Sequence, residues 1–80
     1  KKIKGDIYSD GLLYCYQVSA YKNKNVAEKD VKALKNKNFD AFMMEYKDKK
    51  NTWYRVRVGY FDTLLDAENS LKIYKKLFKK

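Results

Sequence analysis

The side chains best suited to chemistry in this 80-residue sequence are a glutamine, a tryptophan and two arginines: Gln17 in YQVSAY, and Trp53, Arg55 and Arg57 in TWYRVRVGYF. In an extended segment successive side chains alternate between faces. Trp53, Arg55 and Arg57 therefore share one face of their segment, and Cys15, Gln17 and Ser19 share one face of theirs. The chemistry of such a set is recognition. An indole stacks on flat apolar surfaces, a primary amide exchanges hydrogen bonds with hydroxyl and acetamido groups, and a guanidinium meets a carboxylate through two contacts at once. The competing reading is structural, with Arg55 and Arg57 on a solvated strand face paired to Glu45 and Trp53 packing the end of a hairpin.

Bond-making chemistry has little to draw on. The chain has no histidine and a single cysteine, Cys15. The commonest general base is therefore missing, an internal disulfide is excluded, and the thiol has no imidazole to activate it. Asp62 and Asp66 stand at the entrance to a helical segment, where capping and the helix dipole already account for a carboxylate. No catalytic residue, metal ligand or cofactor is assigned, and a lone thiol leaves the redox compartment open.

Nineteen Lys and Arg against ten Asp and Glu give a net charge of +9. That favours an anionic partner, whether nucleic acid, anionic lipid or an acidic wall polymer, although most of the lysines read as solvated helix faces. Eight tyrosines suit a surface that is both adhesive and wet. The length allows one domain, near the lower limit for a self-supporting core. No apolar run reaches the roughly 18 residues of a membrane span. Beginning on KKIKGD, the sequence reads as a piece of a longer protein.

The elements that must position these residues follow from periodicity. Leu12 to Tyr21 alternates as a strand, with Tyr14, Tyr16 and Val18 on one side. Ala27, Val31 and Leu34 form an apolar stripe on a charged helix spanning about 25 to 37. Asn23 or Asn25 caps its start, Glu28 would complete a capping box if Asn25 is the cap, and Asn38 ends it in the left-handed conformation. Phe39 to Lys47 is a second strand, DKKN a turn, and Thr52 to Phe61 a third strand with Tyr54, Val56 and Val58 facing the core. Thr63 caps a second helix over about 64 to 77.

Shifting the sequence by 40 residues lays Val18 on Val58, Ala27 on Ala67 and Glu28 on Glu68, so the strand–helix unit is doubled. The order β-α-β-β-α implies an α+β fold: an antiparallel sheet with both helices on one face, ferredoxin-like or RNP-like in plan. The fourth strand expected after the second helix is missing. Its loss leaves the first strand with an unpaired edge unless Ile3 to Ser9, part of an amino-terminal arm over 1–11 ahead of a single domain over 12–80, folds back to replace it. The open sheet face then presents Gln17, Ser19, Trp53, Arg55 and Arg57. These supply the contacts a sugar polymer needs. Phe42 and Met44 face either way by pattern alone.

The segments YQVSAY, NVAEKDVKALKNKNFDAF and WYRVRVGYFDTLLDAENSL resemble a SPOR (sporulation-related repeat) domain across Tyr14 to Leu77. Such domains read V-Q-V-G-S-F in the first strand and W/Y-x-R-V-x-V-G-P-F in the third, each leading into a helix with an Ala-Glu pair, here Ala27-Glu28 and Ala67-Glu68. The resemblance implies a non-enzymatic module that binds peptidoglycan glycan strands, particularly those stripped of stem peptides, and concentrates its host protein at the division site of the bacterial envelope. By position the family's glycan-contacting glutamine is Gln17, its aromatic Trp53 and its arginine Arg55. It also implies that Ala41 and Met43 point to the helices, leaving Phe42 and Met44 on the open face. Two departures stand out: Ser19-Ala20 replaces the Gly-Ser pair, and Tyr60 replaces the proline.

Two rivals use the same plan. RNA-recognition domains stack bases on such a sheet, but YRVRVGYF lacks their third-strand glycine pattern, so a nucleic-acid partner is disfavoured. A protein-interaction domain, or a homodimer, would use the bare edge of the first strand.

Overall fold

The computed structural model describes residues 1–78. In chain order the elements are β1 (Lys2–Lys4), β2 (Ile7–Ser9), β3 (Tyr14–Tyr21), α1 (Lys24–Asn36), β4 (Ala41–Lys47), β5 (Thr52–Phe61) and α2 (Leu64–Phe78). The strands make one antiparallel sheet in the order β1-β2-β3-β5-β4. Both helices pack on one face of it, giving the α+β, ferredoxin-like class that the sequence predicts.

The amino-terminal arm takes the fourth strand's place. β2 pairs with β3 through Ile7↔Tyr16, Tyr8↔Cys15 and Ser9↔Tyr14, and β1 folds back on β2. The edge of β3 is therefore closed, which corrects the expectation that a partner strand or a second copy uses it. Ile7 secures the arm, since its side chain is 2% exposed and belongs to the core. On the helix side Lys4 Nζ donates to Glu68 Oε2 on α2 at 2.8 Å.

The helix ends are fixed by side chains. Asn23 caps α1, its Oδ1 accepting from the Asn25 and Val26 amides at 2.8 and 3.3 Å. Asn25 lies within the first turn, so the capping box of Glu28 on Asn25 does not form. Asn38 ends the helix at φ 69°, as its type suits. Thr63 Oγ1 caps α2 by accepting from the Asp66 amide at 3.1 Å.

Between sheet and helices lie Tyr16, Leu34, Val56 and Val58, with Ala27 of α1 and Ala67 of α2 fully buried against them. The repeated alanines let both helices approach, and burying each large core side chain is worth about 1.5–3 kcal/mol. The one polar atom that Tyr16 carries inward is satisfied, its hydroxyl lying 2.8 Å from Ser70 Oγ.

Candidate functional site

Two β-bulges decide what the open face displays. Along β3 and β5 the pairs run Tyr16↔Val58 and Gln17↔Arg57, then Ser19↔Val56, so Val18 is an extra residue and the alternation of β3 inverts beyond it. Ser19 consequently faces the helices, where its hydroxyl donates to Asp30 Oδ2 on α1 at 2.7 Å. This corrects the expectation that Ser19 joins Gln17 on the open face. Ala20 takes that position, opposite Arg55.

The second bulge is on β5. Tyr14 pairs with Phe61 and Cys15 with Gly59, which leaves Tyr60 as the extra residue. Tyr60 is 51% exposed, and its ring stacks on Phe42 at a centroid distance of 5.1 Å and an interplanar angle of 23°. Gly59 is required here, because a Cβ at that position would lie 2.7 Å from Cys15 Cβ and 3.1 Å from the Tyr14 carbonyl oxygen.

β4 completes the face. Ala41 and Met43, opposite Val58 and Val56, turn to the helices, whereas Phe42, Met44 and Tyr46 lie opposite Arg57, Arg55 and Trp53 on the open side. Glu45 sits opposite Tyr54 on the helix side and pairs with Lys47 at 3.5 Å. Among the described residues neither Arg55 nor Arg57 has a carboxylate within ion-pair distance, so the ion pair to Glu45 does not form.

Aromatic rings take the place of counter-charges. The Arg55 guanidinium carbon stands 4.0 Å from the centroid of Tyr46, that of Arg57 stands 4.1 Å from Tyr8, and Lys22 Nζ is 5.3 Å from Trp53. Arg57 also donates from Nε to Gln17 Oε1 at 3.1 Å and is only 8% exposed. A shallow cleft of about 170 Å³ borders it, lined also by Tyr8, Cys15, Met44 and Tyr60. Gln17, Trp53, Arg55, Arg57, Phe42 and Met44 thus share one surface.

Burial pushes the Cys15 thiol up, with the nearby Arg57 charge opposing the shift, so the thiol stays protonated near neutrality. Two carboxyls at opposite ends are held low by backbone amides: Asp10 by those of Leu13 and Leu12, and Asp48 by those of Lys50 and Asn51.

Tyr8, Tyr46 and Tyr60 belong to this face but are absent from the set that the sequence singles out. The excess of tyrosine was the signal available for them. Tyr8 required knowing that the arm pairs with β3, and Tyr60 required knowing of a bulge.

The architecture is a helix-backed antiparallel sheet whose open face sets cations against aromatic rings, and among the described residues there is no cluster of metal-binding side chains. The SPOR domain family model matches residues 13–79, and the chain belongs to that family. No curated protein and no solved structure matches it. SPOR domains are non-catalytic modules that bind peptidoglycan and occur in division proteins of the cell envelope. No helix among the described residues is long and apolar enough to cross a membrane.

Proposed function

We propose that this chain grips peptidoglycan glycan strands on the open face of its sheet, prefers strands stripped of stem peptides, and so holds its host protein at the division septum. The observation that carries this reading is the gathering of Gln17, Trp53 and Arg55 on one solvent-facing surface, with Arg55 paired to no carboxylate among the described residues and backed by Tyr46. In this reading Trp53 stacks on a sugar ring, Arg55 meets a carboxylate or acetamido oxygen, and Gln17 donates from its amide while its oxygen holds Arg57. Phe42 and Met44 form an apolar floor along β4, on the side of β5 away from Gln17. Ser19 takes no part, being committed to Asp30.

The test is co-sedimentation with sacculi before and after amidase treatment, at moderate salt, with a homopolymeric RNA as control for charge. Binding should rise after amidase treatment and fall about tenfold or more in Trp53→Ala, as expected for loss of one stacked ring. RNA retention that matches or exceeds sacculus binding would instead support the nucleic-acid alternative.

A further inference from the structure

Among the described residues Arg57 is the buried cation. A guanidinium taken out of water without a counter-charge is costly, and it persists only where other groups compensate. Here the compensation is partial: Tyr8 covers one side of the group at 4.1 Å, and Gln17 Oε1 accepts from Nε at 3.1 Å. Nε is committed to Gln17 and the Cys15 thiol lies beside the guanidinium, so the terminal Nη groups at the cleft are what remains to receive a ligand. A planar two-pronged donor of this kind fits a carboxylate better than a hydroxyl. The nearest acid in the cleft lining, Asp10, is occupied with the Leu12 and Leu13 amides at 2.9 Å each.

Tyr8 comes from the amino-terminal hairpin, outside the segment that matches the family. We infer that the hairpin completes a carboxylate subsite, with Arg57 receiving the carboxylate while Tyr8 and Gln17 hold its guanidinium in place, and that this subsite distinguishes sugars bearing a lactyl carboxylate from neutral N-acetylglucosamine polymer. The inference rests on the glycan-binding reading and adds the chemical feature read.

The experiment measures affinity of the full chain for soluble stripped glycan, for the same glycan with its carboxyls reduced to alcohols, and for a chitooligosaccharide of equal length. The unsubstituted chain should bind the carboxylated glycan about tenfold tighter than either neutral one, the scale of a charge-assisted pair. Arg57→Gln should bind all three alike, at the neutral level. Tyr8→Ala should narrow the ratio to about threefold, while Tyr8→Phe, which keeps the ring, retains it. Because carboxyl reduction alters only the ligand, that comparison stands even if Arg57→Gln fails to fold. Equal affinity of the unsubstituted chain for carboxylated and reduced glycan would overturn this inference and leave glycan binding standing. An unchanged ratio in Tyr8→Ala would overturn the hairpin's part. Failure to bind any of the three would overturn both readings together.

Discussion

Arg55 and Arg57 are two residues apart on one strand and face the same side, yet they occupy different physical situations. Arg55 is half-buried on Tyr46 beside Trp53 and Lys22, at the end of the sheet where the β4–β5 hairpin turns. Arg57 is buried between the ring of an arm residue and the amide of Gln17. The first end is made mainly from one hairpin, with Lys22 reaching over Trp53 from just beyond β3. The second is assembled from β2, β3, β4 and β5, so it depends on register across the whole sheet. Residue type and spacing are the same; what differs is how many elements must be in place.

The largest effect should follow from Ile7→Ala. It removes the anchor that fixes β2 to the core, at about 2–5 kcal/mol for a fully buried aliphatic chain. For a domain of this size that lowers Tm by about 4–8 °C per kcal/mol. Hydrogen exchange should show β2 and the β3 amides facing it opening first, while those of the β4–β5 hairpin stay protected. Uniform loss of protection would break the distinction between the two ends.

Gly59→Ala comes next, at about 1–3 kcal/mol, since the new methyl must displace Cys15 or the Tyr14 backbone. The strain falls on the bulge that presents Tyr60. The ring contact of Tyr60 with Phe42 should be lost, read as changed cross-peaks between those rings, with the Trp53 indole resonance unmoved. Unaltered Tm would mean that the strands separate freely at this point.

Substituting the arginines themselves sharpens the comparison. Arg57→Gln should lower stability by about 1–2 kcal/mol through loss of a charge-assisted hydrogen bond and a desolvated cation–π contact. Arg55→Gln should cost under about 1 kcal/mol, its ring contact being partly solvated. Denaturant midpoints at constant slope measure both. Equal costs would show that burial of Arg57 has no energetic weight.

Much of this architecture is legible in the residues. Alternation placed Val56 and Val58 inward and Trp53, Arg55 and Arg57 outward; the apolar stripes set both helices, and Asn38 and Thr63 marked helix boundaries. What escaped was single-residue slippage. Strict period two carries Ser19 with Gln17, and nothing in YQVSAY announces that Val18 is inserted, because a bulge is a property of the paired strands. The choice between Asn23 and Asn25 was similarly open, both being able caps, and the strand geometry of Asn23 decided it. The arm pairs with β3 as a short hairpin through residues 10–13, but it has no counterpart in the internal repeat and its register is not marked by the residues, so Tyr8 could not be placed.

The smallest effects concern the two aspartates that terminate the face. Asp10 and Asp48 are fully exposed, and each carboxylate accepts from two backbone amides in a turn, Asp10 from Leu12 and Leu13 and Asp48 from Lys50 and Asn51. In both, these backbone bonds hold the folded pKa below the ordinary value of 3.8. A depressed carboxyl pKa gives stability that is complete above the unfolded value and is lost as pH falls through the folded one. Asp10→Asn and Asp48→Asn should therefore lower Tm slightly near pH 7, and the difference from the unsubstituted chain should shrink as pH falls below the ordinary carboxyl value and through the folded one. Because Asp10 orders the turn into β3 and the cleft beside Arg57, its substitution should also weaken binding of carboxylated glycan, whereas Asp48→Asn should not. An equal effect of both on binding would place the ligand along the whole length of β5, with the two ends acting as one surface.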